Sequence, residues 1–294
     1  MPIHTDKLTL GTNVTIDPTA RIRGKAVTIG DDTYIGPNVD ILSPDGLVLG
    51  ACSRIGPDTH VQCWRFTAGA YLYVDRNVEV GRGGCLSSPD SVVEIGSGVQ
   101  LNEGVILNPN CRVAIGDDVG IGAQTSIWTH GAYLSTHPSK FEPVHIGNRV
   151  WLQGGSKVLP GVVIGDDSVV GMGSVVTKSL PSRSLCGGTP CKVIKYDCYP
   201  KGTDWGQLEQ MIQDYLGSLS WRRVDASKVY VHGNGVVLVD NVVFNLSSLC
   251  ATGEWSPLAE DFRDFIRRRG YRIYTGKPFK SLPHPDIQRW GAAC

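Results

Sequence analysis

Residues 146–180 read IGNRVWLQGGSKVLPGVVIGDDSVVGMGSVVTKSL. Large aliphatic residues return every sixth position, at Ile146, Leu152, Val158, Ile164, Val170 and Val176, and four places after the first five stand Val150, Ser156, Val162, Ser168 and Ser174. A helix repeats near 3.6 residues and an amphipathic strand at 2, so a period of six predicts a solenoid of short flat segments. Gly147, Gly161, Gly165, Gly171 and Gly173 suit its corners.

The same phrase extends upstream. Leu10, Ile16 and Ile22 carry it, with Val14, Ala20 and Ala26 as small partners. After a one-residue slip Ile29, Ile35 and Ile41 continue, then Ile55 and Val61. Between Gln62 and Val93 the pattern weakens but keeps aliphatic residues and turn formers, and Ile95, Leu101, Leu107, Ile115, Ile121 and Ile127 restore it. Three hexads per turn predict a triangular prism of roughly nine or ten coils, on the order of 45 Å long at about 4.8 Å per coil. Residues 128–145, WTHGAYLSTHPSKFEPVH, have no hexad register and are expected to leave the stack as an excursion loop, where function concentrates.

From Cys198 the composition changes, which divides the chain into 1–197 and a small α+β domain, 198–294. Asp204 with Gln207 resembles a capping box before a helix burying Leu208, Met211, Ile212 and Tyr215. Strands flank Gly233-Asn234-Gly235, Ser256 and Pro257 open a second helix that stops at Gly270, and YRIYTG reads as a short strand. Packing of Leu208, Met211 and Phe265 against the last coils as a cap is the expected structural role of this domain. Arg267, Arg268 and Arg269 read as a solvated helix end suited to the dipole, or as a contact for an acidic glycan or phosphate.

Composition narrows the function. Lys plus Arg and Asp plus Glu both number 28, so formal net charge is zero, which argues against a nucleic-acid partner bound by phosphate neutralisation. No stretch approaches membrane-spanning length, and the opening residues lack the basic start and apolar run of a secretory leader; a cytoplasmic address is expected. Nine scattered cysteines without CxxC spacing read as reduced thiols, several inside the stack, and no metal is expected.

With these residues in view, the chain resembles the left-handed parallel β-helix, hexapeptide-repeat acyltransferases over about residues 10–195. The segment PVHIGNRVWLQGGSKVLPGVVIGDDSVVGMGSVVTKSLPSRSLCGGTPCKVI is similar to the sugar O-acetyltransferase branch. The left hand is something the resemblance supplies, because parallel crossovers are right-handed in about 98% of cases. The resemblance implies a homotrimer, with acetyl-CoA as co-substrate in the cleft between two prisms and a sugar or glycan hydroxyl as acceptor. It implies a histidine base, for which His130 and His137 compete, with His130 nearer the coil end at Ile127. Asn102 falls where an asparagine contacts the acceptor; on its residue type alone it is a corner asparagine tolerating a left-handed backbone. Glu103 reads as a solvated corner carboxylate or as a group orienting an imidazole. Trp151 matches a tryptophan flanking the cleft, or is a buried aromatic plug. Gly154 and Met172 match positions whose N–H groups meet the thioester carbonyl and pantetheine arm. Lys178 matches a position near CoA phosphate, and Arg183 and Lys192 are further cations for it, or ordinary surface charges. Two other functions fit such a prism: a γ-class carbonic anhydrase, needing three metal-binding histidines, and a non-enzymatic scaffold or sensor.

Overall fold

The computed structural model describes residues 3–81, 85–86, 88–131, 141–200 and 204–282. The chain divides into two compact units, 1–200 and 201–294.

The first unit is a parallel β-helix. Strands recur in threes along the chain, and every third strand pairs in parallel with its counterpart one coil away. Three sheets result, called here sheet 1 (nine strands, from Ile3–His4 to Val175–Val176), sheet 2 (eight strands, from Lys7–Leu10 to Val163–Ile164) and sheet 3 (ten strands, among them Gln100–Leu101, Gly120–Ile121, Trp151–Leu152 and Val169–Val170). Each coil runs from sheet 1 to sheet 2 to sheet 3. The weak stretch after Gln62 is also coiled, through Arg65–Ala68, Tyr73–Val74 and Glu79–Val80.

The hexad residues fill the prism. Ile22, Ile35, Leu107, Ile121, Ile127, Ile146, Leu152, Val158, Ile164, Val170 and Val176 are all buried in one continuous core. Complete burial of such a side chain contributes about 1.5–3 kcal/mol. Leu10 departs from the expectation: it is 45% exposed, because it lies in the first coil, on the edge strand of sheet 2.

Corners explain the small partners. At the corner from sheet 3 to sheet 1 the chain spends four residues, of which the third takes a positive φ, as at Asn38 (56°), Asp58 (55°), Gln124 (58°), Gly155 (72°) and Gly173 (67°). Such turns are consistent with the expected left-handed winding. The fourth residue points inward, and where it is serine its hydroxyl donates back to the corner's first carbonyl: Ser156 Oγ to Gln153 O (2.6 Å) and Ser174 Oγ to Gly171 O (2.7 Å). That bond satisfies a hydroxyl that burial would otherwise penalise. At the corner from sheet 2 to sheet 3 the same bond recurs, as from Ser53 Oγ to Gly50 O (2.7 Å), and a ladder is added. Ser97 N donates to Asp117 Oδ1 (2.6 Å), Asp117 N to Asn148 Oδ1 and Asn148 N to Asp166 Oδ1 (both 2.8 Å). The recurring I-G-D/N phrase is thus a stacking device, with glycine needed because a Cβ on Gly147 would press on Asp166 N at 2.8 Å.

Burial also accounts for the cysteines. Cys52, Cys63, Cys85, Cys186 and Cys191 are buried free thiols, and burial pushes Cys63 up to about 12. The last coil ends in an antiparallel strand, Lys192–Lys195, on Leu185–Gly187, placing lysines on the edge of sheet 3. Charged edge residues discourage further strand pairing.

The second unit is a four-stranded antiparallel sheet (Val229–Gly233, Val236–Val239, Asn241–Asn245, Cys250–Glu254) with helices α1 (Trp205–Trp221) and α2 (Pro257–Arg267). Both caps form as expected: Asp204 accepts from Gln207 N and Ser256 from Ala259 N, each at 3.1 Å. Leu208 and Met211 lie inside this unit's own core, with Phe265 packed against it. Residues 271–276 form no strand. The guanidinium of buried Arg263 takes the carbonyls of Ile273 (3.1 Å), Lys277 (2.9 Å) and Pro278 (2.6 Å), partners that a strand would have given to a ladder. Arg267 and Arg268 pair with Asp264, and Arg269 lies 3.6 Å from the Phe265 ring centre.

Candidate functional site

Coil irregularity is concentrated at the corner from sheet 1 to sheet 2. The strands Glu79–Val80 and Val92–Ile95, and again Ser126–Trp128 and Val144–Ile146, are separated there by longer stretches of sequence than in the other coils. Trp128, Val144 and His145, expected in the excursion, belong to strands. His130 and Phe141 form an antiparallel bridge at its base, and Thr129 O accepts Glu142 N (3.0 Å). His137 lies outside the described residues.

His130 is held by the coil beneath it. Buried Thr129 donates to Asn108 O (2.8 Å) and accepts from Cys111 N (2.9 Å), which pins the root of the excursion. The Asn110 side-chain nitrogen then lies 2.7 Å from His130 Nδ1 and 3.2 Å from Asn108 Oδ1, with Cys85 Sγ 3.7 Å from the same oxygen. Trp128 meets the imidazole edge-on at 5.7 Å and Phe141 stacks at 6.0 Å. Partial burial lowers the His130 pKa, so the neutral ring is favoured. The imidazole borders an open cavity of about 590 Å³ lined also by Trp128, Gly131, Lys157, Leu159, Pro160 and Thr177.

The other expected site residues are not gathered around His130 in one chain. Asn102 stands first in the corner from sheet 3 to sheet 1, at the opposite edge of sheet 1. Its backbone is not left-handed; Gly104 takes the positive φ (68°), and Asn102 Oδ1 accepts from Gln100 Nε2 (2.7 Å). Glu103, beside Asn102, pairs with Arg76 (3.0 Å). Gly154 and Met172 stack at the same corner, one coil apart. The Met172 N–H is engaged by Gln153 Oε1 (3.1 Å), whereas Met172's side chain is 77% exposed. Trp151 is no buried plug: its ring lies over Gly120 on the outside of sheet 3, where a Cβ would collide with it, and it is 38% exposed. Lys178 follows Thr177 at the His130 corner. Arg183 sits at the third corner, paired with Asp197 (3.3 Å), and Lys192 is on the edge strand of sheet 3.

Asn110, Thr129 and Lys157 were not singled out by sequence patterns. Asn110 and His130 are 20 residues apart, about one coil, and that spacing is the signal that brings them together. Among the described residues no three His, Cys, Asp or Glu side chains are grouped to hold a metal ion. No helix among them is long and apolar enough to cross a membrane.

Comparison with known proteins agrees with this architecture. Residues 143–178, the last coils of the β-helix, match the family described as bacterial transferase hexapeptide (six repeats). A Staphylococcus aureus (strain COL) protein bearing an acetyltransferase name is 42% identical over 113 residues, 35% of this chain and 57% of that one. Galactoside O-acetyltransferase of Escherichia coli (strain K12) is 35% identical over 115 residues, 36% of this chain and 54% of the enzyme. The chain thus spans about half the length of the curated relatives it matches. UDP-N-acetylglucosamine acyltransferase from Campylobacter jejuni shares the fold, with a TM-score of 0.51 at 13% identity, covering 76% of this chain and 92% of that one.

Proposed function

We propose that the protein is an acetyl-CoA-dependent O-acetyltransferase of a sugar or glycan-precursor hydroxyl, working in the cytoplasm in surface-polysaccharide synthesis, with His130 as general base. The observation that carries this reading is a neutral-favoured imidazole at the mouth of a cavity, its Nδ1 fixed by Asn110, in a chain of hexapeptide repeats. The named activity of the galactoside enzyme supports the choice of acceptor.

The transfer needs no covalent enzyme intermediate. Acceptor oxygen attacks the thioester carbonyl carbon, His130 Nε2 takes the hydroxyl proton, and collapse breaks the carbon–sulfur bond; the proton then goes to the CoA thiolate. For this Nε2 must carry a lone pair and Nδ1 its hydrogen. Turning the Asn110 amide so that Oδ1 accepts from Nδ1–H sets that tautomer, and a matching turn of Asn108 preserves the bond between the two asparagines. The Gly154 N–H and the cation of Lys178 are suited to the thioester and to CoA phosphate.

Asn102, Gly154 and Met172 lie at one edge of sheet 1 and His130 and Lys178 at the other. Two copies side by side would bring unlike edges together, which supports a homotrimer with acetyl-CoA between prisms. Free-CoA release with acetyl-CoA and a panel of sugars, sugar nucleotides and oligosaccharides tests the reading. Turnover by a sedimenting trimer is expected; a monomer that releases no CoA on any acceptor would overturn it. Full activity in His130→Ala with loss in His137→Ala would transfer the base to His137.

A further inference from the structure

Among the described residues Lys157, in the cavity that His130 borders, has no carboxylate partner. Its Cα pairs with Ser126 and Val175 on the outer column of sheet 1, and both neighbours are neutral. Down that column the next acid is Glu79, reached through Ile106 and Ser126, which is three rungs or about 14 Å. That exceeds the physiological Debye length of about 8 Å. None of the described residues lining the cavity is acidic. Residues 128–145 contain one acid, Glu142, whose carboxylate covers Gly161 and does not line the cavity. Several arginines of the prism are by contrast paired: Arg23 with Asp40, Arg76 with Glu103, Arg112 with Glu94 and Arg149 with Asp167.

We propose that Lys157 binds a negatively charged group of the acceptor, so that the substrate is an acidic sugar, carrying a carboxylate or phosphate, rather than a neutral one. This rests on the acetyl-transfer reading of the same cavity and narrows its acceptor. The cavity supplies what such a ligand needs: the Trp128 ring for an apolar sugar face, Thr177 for a hydroxyl, Lys157 for the anion and His130 for the reacting hydroxyl. An exposed lysine that finds a desolvated anion gains a charge-assisted hydrogen bond worth about 1.5–3 kcal/mol, roughly a 10- to 150-fold difference in affinity.

The test is initial-rate kinetics on the full chain with matched acceptors: galactose against galacturonate, and glucose against glucose 6-phosphate. The anionic member is expected to have the lower KM by about tenfold or more. Lys157→Ala should raise that KM by a similar factor without moving the KM for acetyl-CoA, and Lys157→Arg should retain most of the preference. A neutral preference overturns the proposal, as does a Lys157→Ala effect confined to the KM for acetyl-CoA, which would assign the lysine to CoA phosphate. If no acceptor supports CoA release, equilibrium binding of galacturonate and glucose 6-phosphate separates the two ideas. Binding lost in Lys157→Ala upholds the anion site while acetyl transfer falls, and no binding overturns both.

Discussion

The two edges of sheet 1 are built on different rules. Where sheet 3 turns into sheet 1, coils repeat one four-residue corner, with a positive φ at its third residue in every corner after the first and a small buried residue at its fourth. Where sheet 1 turns into sheet 2, corners differ in length, and side chains of successive coils bond to one another through Asn108, Asn110, Thr129 and His130. A regular corner is dictated by stacking and leaves little to choose except backbone. An irregular corner escapes that requirement, and its side chains are free to be selected for chemistry. On this view the first edge offers amides and the second offers the base.

The contrast can be broken at several points. The largest effect is expected from His130→Ala, with kcat falling roughly 100- to 10,000-fold while acetyl-CoA binding, measured by calorimetry, stays intact. Next is Asn110→Leu, which frees the imidazole to take either tautomer; a loss of about tenfold to hundredfold in kcat is expected, about 1.4–2.7 kcal/mol of barrier. Asn110→Asp should restore much of that rate, and its carboxylate should move the acid limb of the pH profile upward by favouring imidazolium. A merely structural Asn110 would show neither the rescue nor the shift.

On the regular side the effects should fall on stability. Gly120→Val forces the Trp151 ring off sheet 3 and is expected to cost about 1–3 kcal/mol in urea unfolding, with much of it regained in the double variant carrying Trp151→Ala. The smallest effect belongs to Ser156→Ala, which removes one buried hydroxyl bond, about 1 kcal/mol, with kcat unchanged. If Ser156→Ala silenced turnover and His130→Ala did not, the division between the two edges would be reversed.

How much of this was legible follows from what each signal depends on. Hexad positions such as Ile121 and Leu152 declare themselves because their burial is set by coil geometry, which repeats in the sequence. Leu10 misleads because the same position in the first coil has a neighbour on one side only. Asp204 and Ser256 are readable caps because their partners lie three residues away. The Arg263 clamp on residues 273–278 is not, since it depends on a tertiary contact that turns an apparent strand into an anchored coil. At the site, His130 is visible through the break in register. Asn110 and Lys157 become visible only when residues one coil apart are known to touch.

The most direct measurement is the pH dependence of kcat/KM for the unmodified protein. Partial burial holds the His130 pKa below the ordinary imidazole value of about 6.5, so the neutral base persists as pH falls and activity is lost only through that lowered value. The expected profile is flat through neutral pH with a single acid limb, its apparent pKa below the ordinary imidazole value, absent from the residual activity of His130→Ala. A limb above the ordinary imidazole value, or one that survives unchanged in His130→Ala, would contradict a histidine base at the irregular corner.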